Sequence, residues 1–419
     1  MARGHAPLAS RSGTGPFFGD FAVLQVLASI AFLLFGYCTM ILGNSLLSIT
    51  VPLELRASGV STEMTGIVMS AYFAGFLVGS RYVKVAIMRV GHIRVFAGLA
   101  ALAAVATLAY PFLFAPYGWI FLRFVNGFCL VGLIAVLESW LNDRCTNTNR
   151  GGVMGIYMVA HYFAMACGQL LVNVSDIGGS AAYMLAASLL CLSLVPVVLT
   201  RTASPDVSHV EPLSLRELYA FTPLAVVGAG VGGVLMGTFN GMGAVFARSV
   251  GFSVFEVSLF TATVVVGGFL FQFPAGRLSD RFGRRAVLVG VLFAVMLASM
   301  GLVATSALAD PLPASLFLAV LLGAGITIVY PTATAHAFDH IPRERFVAAS
   351  SGLLAAFAIG ATIGPIVASL FMGRVGSYGL FLFEGTVAGV SAAFVGYRWY
   401  QRTHGRDKGG LRPTTALET

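Results

Sequence analysis

Residues 21–53 read FAVLQVLASIAFLLFGYCTMILGNSLLSITVPL. None of these 33 positions holds Asp, Glu, Lys or Arg, and the apolar residues run continuously rather than alternating. About 20 apolar residues in a helix cross a hydrocarbon core of about 30 Å. Helices and closed barrels are the structures that satisfy their backbone polar groups in lipid, and barrel strands would show an alternating pattern. The segment therefore predicts a membrane-spanning helix.

Charged residues are scarce in the whole chain. Of its 419 residues, 58% are hydrophobic and 10% are charged, whereas soluble domains carry about 25% charged residues. A soluble chain of this length would form two or three domains, each needing a charged surface. The composition therefore excludes a soluble enzyme, a nucleic-acid-binding module and a disordered chain, and it indicates a protein whose main solvent is lipid.

Further charge-free runs follow along the chain, and together they predict an all-α membrane protein with twelve transmembrane helices. The runs cover residues 95–122, 151–175, 218–247, 286–309 and 346–373. Dividing the chain at charges, prolines and glycine-rich turns gives spans at 21–51, 63–82, 93–114, 118–142, 151–174, 179–200, 219–247, 254–276, 286–307, 314–338, 346–372 and 376–399.

The basic residues predict the orientation of these spans. With the N-terminus placed inside, 21 of the 25 Lys and Arg fall in cytoplasmic segments, three fall outside and Arg123 lies within a span. Cytoplasmic loops carry such an excess of basic residues. We therefore expect a multi-pass protein of the cytoplasmic membrane with both termini inside. The net charge of +8 needs no nucleic-acid partner.

The twelve spans divide into two similar halves. A polar segment with two prolines, residues 201–217, separates six spans from six, and matching residues recur 196 positions apart: Gly127 with Gly323 and Asp143 with Asp339. Such repeats are typical of secondary transporters. We expect a cytoplasmic tail at 1–20, a six-helix bundle at 21–200, a linker at 201–217, a pseudo-symmetric second bundle at 218–400 and a cytoplasmic tail at 401–419.

One loop carries a family resemblance. After the eighth span the chain reads GRLSDRFGRR from Gly276 to Arg285. This stretch resembles the cytoplasmic G-x-x-x-D-R-x-G-R-R loop of the major facilitator superfamily at every fixed position. The resemblance implies a gate in which the acid faces a helix N-terminus, where the dipole favours an anion, and the arginines pair with carboxylates at nearby helix ends. The gating candidates here are Gly276, Asp280, Arg281, Gly283, Arg284, Arg285 and Asp339.

The matching loop of the first half departs from this pattern. It keeps Arg89 and Gly91, but Met88 stands where the acid is expected. A gate in this half would instead pair Glu138 or Asp143 with Arg89 or Arg94.

Four ionisable residues are candidates for proton coupling. Arg123 opens an R-x-x-x-G stretch that resembles an element of proton-coupled members of the superfamily, and its alternative is to extend its charge to the membrane surface. Glu138 and His336 lie near the inner ends of equivalent spans, and His titrates near neutral pH. For Glu138 a structural pair with cytoplasmic arginines is an equal alternative. Glu384 lies well inside the twelfth span, where a structural role is favoured.

The resemblance implies that the first, fourth, seventh and tenth spans line a central cavity, which flanking spans can also reach. The candidate substrate-binding residues are Tyr37, Asn44, Asn126, Tyr157, Asn240, Gln272, Tyr330 and Thr334. The stretches from Tyr330 to Asp339 and from Glu138 to Asn142 also look like a poorly characterised bacterial branch of the superfamily, which supplies no substrate.

These features predict a secondary active transporter of a small organic solute, working by alternating access and driven by protons, with efflux by antiport favoured. Uptake by symport and a non-transporting sensor are the alternatives. The sequence holds neither a nucleotide-binding loop nor a catalytic motif, so we expect no enzyme activity, no cofactor and no metal. The expected partners are the solute, protons and the lipid bilayer, and the expected state is a monomer.

Overall fold

The computed structural model describes residues 16–113, 115–145, 149–174, 178–199 and 214–404, excepting the side chains of residues 16–30, 144, 343 and 402–404. Residues 1–15 of the predicted first tail, 201–213 of the predicted linker and 405–419 of the predicted second tail lie outside the described residues. The division of the chain into domains therefore stays a prediction.

The described chain is helical, and twelve of its helices are long and apolar enough to cross a membrane. Six of them precede the linker: α1 Pro16–Ala57, α2 Thr62–Val90, α3 His92–Ala109, α4 Pro116–Arg144, α5 Arg150–Leu170 and α6 Ala181–Leu199. A short helix, α7 Leu215–Phe221, leads into the other six: α8 Pro223–Ser249, α9 Val254–Phe282, α10 Arg284–Ala304, α11 Leu312–Phe338, α12 Phe346–Val375 and α13 Gly379–His404. The predicted fold class is confirmed.

Glycines at equivalent positions hold equivalent helix pairs together in the two halves. A Cβ atom at Gly127 would strike the backbone of α2 at Tyr72, and one at Gly323 would strike the backbone of α9 at Val264. Small residues allow such close backbone approach between membrane helices. The residues that repeat 196 positions apart therefore make the same kind of helix–helix contact in the two halves, α2 with α4 and α9 with α11.

We call the side of the molecule that carries α7 the linker face, and the other side the distal face. On the distal side one apolar cluster joins the halves, because residues 46–55 of α1 and 235–247 of α8 belong to it together. On the linker side the first half has a cluster of its own, residues 33–197, and the second half has another around Ala225. The apolar core is therefore continuous between the two halves on the distal side and separate in each half on the linker side.

Two helical segments differ from the sequence prediction: α1 is longer than the predicted first span, and α7 is a separate short helix where the predicted linker meets the predicted seventh span. Helix α1 continues through Pro52 to Ala57, whereas the predicted first span ends at residue 51, so Glu54 belongs to the helix. Helix α7 begins at a capping box in which Ser214 and Glu217 bond each other's backbone. The Ser214 hydroxyl also donates to the Glu217 carboxylate, and this bond, together with the one from the Ser214 amide, holds the pKa of Glu217 below its usual value.

Candidate functional site

A cavity of about 290 Å³ lies between the two halves. Its volume is at the lower end of the range for small-molecule sites. Aliphatic and aromatic side chains make up most of its wall, and the aromatic ones are Tyr72, Phe73, Phe76, Tyr162, Phe239 and Phe357. The polar residues are fewer than the apolar ones and come from both halves: Asn44, Ser45, Ser48, Arg123, His161, Gln169, Asn240, Thr261 and Thr327. The arrangement fits a largely apolar solute that carries a few polar groups.

Several predicted substrate residues lie at or beside this cavity. Asn44 and Asn240 line it directly. Gln272 accepts a 2.6 Å hydrogen bond from the Tyr162 hydroxyl, so it supports a wall residue. Tyr330 packs its ring 5.0 Å from that of Phe357, and Thr334 lies one turn farther along α11 toward the linker face.

Asn126 is not among the residues that line the cavity, and its role as a substrate residue stays a prediction. Its side-chain nitrogen donates to the Ala103 carbonyl and lies 3.3 Å from the Thr107 hydroxyl, while its oxygen accepts from the Tyr110 hydroxyl at 3.0 Å. Asn126 thus joins α4 to the end of α3. Arg123 lies three residues earlier on α4, and Tyr110 is within hydrogen-bonding reach of both side chains.

The cavity wall is also broader than the predicted four spans. Helices α2, α5, α9 and α12 contribute to it beside α1, α4, α8 and α11. The aromatic residues Phe73, Phe76, Tyr162 and Phe357 come from these additional helices and were missed. The chain has 33 Phe, and the periodicity of the sequence alone does not distinguish a Phe that faces lipid or the core from one that lines a cavity.

Arg123 is a buried cation at the cavity wall. Its side chain is 2% exposed, and its guanidinium lies 4.8 Å from the centroid of the Tyr72 ring. Tyr110 lies within hydrogen-bonding reach of the same group, but Nε and one terminal nitrogen have no partner among the described residues. The side chain does not extend to the membrane surface, so it can offer donors to an anionic or carbonyl group of a solute.

An unbroken chain of polar side chains links a carboxylate near the linker face to the cavity. The Tyr157 hydroxyl lies 2.8 Å from Glu138 Oε1 and 2.9 Å from the Tyr37 hydroxyl. The Tyr37 hydroxyl in turn lies 2.7 Å from Nδ1 of His161, which lines the cavity. Because the four residues come from α1, α4 and α5, the tertiary packing of these helices alone brings them together.

A second buried carboxylate, Glu54, was missed by the sequence analysis. It is 6% exposed and accepts a 2.6 Å hydrogen bond from the Tyr183 hydroxyl. The Tyr183 ring stacks on that of Tyr110 at 5.3 Å, which connects this pair to the surroundings of Arg123. Ending the first span at residue 51 concealed it, so Glu384 is not the sole carboxylate deep within the described spans.

The loop with the family signature forms a tight turn whose polar contacts stay within the second half. Gly283 has φ of +88°, a conformation that glycine adopts without strain, and it separates α9 from α10. Arg284 bonds Asp280 at 2.5 Å and Asp339 at 3.3 Å. Asp280 is largely exposed and bonds Arg284 rather than the start of α5. The predicted contact of this acid with a helix N-terminus is not formed in this structure, and the gate stays a prediction.

The remaining gating candidates lie at the linker face. Arg281 packs against the neighbouring Phe282 ring, Gly276 faces open space, and Arg285 lines a small pocket described below.

The alternative first-half gate is not formed in this structure. Among the described residues, neither Glu138 nor Asp143 forms an ion pair with Arg89 or Arg94, and Glu138 bonds Tyr157 instead. A different contact bridges the halves at this face.

That contact joins the first-half loop region to α12. The Lys84 ammonium donates to the Ser351 hydroxyl at 2.9 Å.

The other two proton candidates lie away from the cavity. Glu384 is fully buried on α13, and both of its carboxylate oxygens lack a partner among the described residues. His336 is buried near the end of α11, with its ring 4.4 Å from that of His340. Neither residue is among those that line the central cavity.

Comparison with known proteins identifies the family. The profile of the Major Facilitator Superfamily matches residues 33–235 and 224–416. The protein named "Uncharacterized MFS-type transporter YcaD" from Salmonella enteritidis is 29% identical over 363 residues, which are 86% of this chain and 93% of that protein. The same-named protein of Salmonella gallinarum is 28% identical over the same shares of both chains.

Solved structures share the fold at low sequence identity. The nucleoside transporter NupG superposes with a TM-score of 0.70 at 13% identity, covering 88% of this chain and 98% of that one. A bacterial homologue of the human lysosomal transporter Spinster, in an inward-facing and occupied conformation, gives 0.67 at 14% over 91% and 97%. A D-xylose-proton symporter gives 0.65 at 16% over 90% and 97%. With twelve described helices of membrane-spanning length and a central cavity, this chain is a multi-pass membrane transporter that belongs to the major facilitator superfamily.

Proposed function

We propose that this protein is a proton-coupled secondary transporter that carries a small organic solute through the central cavity by alternating access. The observation that carries the proposal is the hydrogen-bonded chain from Glu138 through Tyr157 and Tyr37 to His161. It connects a carboxylate near the linker face with a ring at the cavity wall. Ionisable groups buried within membrane spans mark proton and solute paths.

The chain can transmit the protonation state of Glu138 because each hydroxyl donates one hydrogen bond. When Glu138 is ionised, it accepts from Tyr157, Tyr157 accepts from Tyr37, and Nδ1–H of His161 donates to Tyr37. When Glu138 carries a proton, it donates to Tyr157, and the donors along the chain reverse until Tyr37 donates to Nδ1 of His161. The reversal requires the other tautomer of His161, in which the ring hydrogen lies on Nε2 instead of Nδ1. Loading a proton at Glu138 thus changes which hydrogen bonds His161 makes beside the solute.

The cavity favours a solute with an aromatic or aliphatic body and few polar groups. The amides Asn44, Gln169 and Asn240 can pair with its polar groups, and Arg123 can pair with an anionic or carbonyl group. The names of two structural neighbours, a nucleoside transporter and a D-xylose-proton symporter, support a small organic cargo and coupling to protons.

We favour export in exchange for protons over uptake by symport. A largely apolar cavity suits amphipathic molecules, which cross bilayers unaided and therefore need active removal rather than import. We further propose that the protein resides in the cytoplasmic membrane with its linker face and termini inside, and that it works as a monomer because one chain supplies both walls of the cavity. A sensor that binds without transport remains the second class of function.

The test uses purified protein in liposomes that contain a trapped pH-sensitive dye. Compounds that raise the thermal unfolding midpoint in a metabolite and drug screen are added, and the dye reports proton movement driven by the solute. Antiport and symport give opposite signs of pH change. Tyr157→Phe, which interrupts the chain at its centre, should abolish this signal while the thermal shift by the solute persists.

The matched control is Tyr82→Phe, since Tyr82 is an exposed tyrosine of α2 outside the chain. It should keep the proton signal of the unaltered protein. Solute flux without any change of internal pH would refute proton coupling. Solute binding without flux, in either gradient direction, would identify a sensor.

A further inference from the structure

A second, smaller cavity lies at the linker face of the second half, where α8 begins and where α11 and α13 end. Its volume is about 40 Å³, roughly three times the minimum for one ordered water, which suits a phosphate-sized group. No carboxylate lines it within the described chain. Its polar wall holds two arginines and two histidines, Arg285, Arg398, His336 and His340, with Thr222 and Trp399 beside them.

Thr222 supplies a donor that nothing in the described chain uses. Its residue is 3% exposed, and its hydroxyl has no partner among the described residues. Thr222 is the N-cap of α8, yet its side chain makes no cap hydrogen bond, although capping is the common role of threonine at this position. Buried hydroxyls nearly always have a hydrogen-bond partner, so the Thr222 hydroxyl at this cavity wall is placed to bond a group that enters the cavity.

The cavity also sits at the N-terminus of a long helix. Helix α8 runs from Pro223 to Ser249, and Pro223 and Leu224 line the cavity. The helix dipole is positive at this end, which favours an anion. Pro223 has no N–H, and the amides of Ala225 and Val226 already donate to the Thr222 carbonyl, so the Leu224 amide is the backbone donor that remains in this turn.

Two side chains add polar groups of defined geometry. Nδ1 of His340 lies 2.8 Å from the His336 carbonyl oxygen. A carbonyl only accepts, so Nδ1 carries the hydrogen, and Nε2 of the neutral ring can accept from a protonated phosphate oxygen. Arg398 is exposed on α13, one residue before Trp399, where a guanidinium can form two parallel bonds to phosphate oxygens. Basic pockets between membrane helices on the cytoplasmic side bind phosphorylated headgroups.

We propose that this pocket binds a phosphate group, carried either by a soluble phosphate or by the headgroup of an anionic phospholipid. The Thr222 hydroxyl and the Leu224 amide donate to the phosphate oxygens from within, and Arg398 closes the site from the exposed side. Arg285 belongs both to this pocket and to the loop with the family signature, so the bound group contacts the predicted gate. The site is separate from the central cavity and does not rest on the transported solute.

The first arm of the test measures binding of inorganic phosphate to the purified full chain in a neutral detergent. Arg398→Gln should weaken binding about tenfold, since it removes a charge-assisted pair, and Thr222→Val should weaken it severalfold without changing side-chain shape. The control Arg277→Gln removes one charge from the same face, where Arg277 packs on Phe273 outside the pocket. It should leave binding within about twofold, and thermal unfolding verifies that each variant folds.

The second arm places the same proteins in phosphatidylcholine membranes with and without phosphatidylglycerol and measures retained lipid by native mass spectrometry. Phosphate binding that the two variants weaken supports the site and assigns it to a soluble phosphate. Retention of phosphatidylglycerol that the variants weaken, without binding of free phosphate, supports the site and assigns it to a lipid headgroup. The proposal is overturned if neither ligand distinguishes the unaltered protein from Arg398→Gln and Thr222→Val, or if Arg277→Gln weakens binding equally.

Discussion

Replacing Arg123 with Leu separates a functional charge from a structural one. Burying an ion costs several kcal/mol after relaxation. Here the compensation is incomplete, because two guanidinium nitrogens lack partners in the described chain, while the ring of Tyr72 at 4.8 Å contributes about 2 kcal/mol. A shorter apolar side chain removes the cost together with the contacts. We expect the free energy of unfolding to stay the same or rise by about 1 kcal/mol.

For a unit of about 200 residues, 1 kcal/mol corresponds to a change of about 2–4 °C in the unfolding midpoint. Scanning fluorimetry of the purified variant therefore measures stability, and liposome flux measures function on the same sample. We expect Arg123→Leu to keep or raise the midpoint while it lowers the affinity for an anionic or carbonyl-bearing solute about tenfold, the equivalent of 1.4 kcal/mol.

The matched control is Arg248→Leu at the distal end of α8, where the arginine donates to the Phe252 carbonyl at 3.0 Å. It should leave solute affinity unchanged and lower the midpoint slightly. A fall of several degrees in Arg123→Leu would refute the reasoning, because it would show that the buried charge is fully compensated and structural. Unchanged solute affinity with a stable protein would refute the role of Arg123 in binding.

Three further outcomes follow from the packing and the charges. Gly127→Ala should lower the free energy of unfolding by about 1–3 kcal/mol, because the added methyl group strikes the Tyr72 backbone. The control Gly98→Ala, whose methyl group meets no atom within 4 Å, should leave it unchanged. Thermal unfolding compares the two variants, and equal midpoints would contradict the α2–α4 contact. Glu384→Gln should keep proton-driven flux and leave the unfolding midpoint equal or higher, since a buried carboxylate without a partner is costly and its replacement by a neutral amide breaks no bond in the described chain. Loss of proton-driven flux would instead place the proton site on α13. Asp280→Asn should reduce transport and raise cysteine accessibility at the linker face with normal expression, and unchanged values of both would exclude a gating role for the loop.

Charge distribution determined the fold class because lipid imposes a local rule. A segment such as residues 21–53 must be helical in a membrane whatever its neighbours do, so the twelve spans and the repeat were predictable from the chain itself. The equivalence of Gly127 and Gly323 could also be predicted from the sequence, since each of the two helix contacts needs a small residue at the same position.

Identity and location of site residues were predictable only in part. Asn44 and Asn240 were found because polar residues on apolar helices are few. Asn126 met the same criterion, yet it bonds α3. A single helix does not reveal which of its neighbours each face meets.

The sequence by itself determined that this protein is a membrane transporter with two related halves, because each segment that lies in lipid must be apolar and helical independently of the other segments. The tertiary structure alone decided that Glu138, Tyr157, Tyr37 and His161 form one chain, and that Thr222 faces a basic pocket with Arg398. Hydrogen bonds of less than 3 Å between α1, α4 and α5 depend on how these helices cross and rotate about their axes. Those angles result from packing of the whole bundle, which no local pattern encodes.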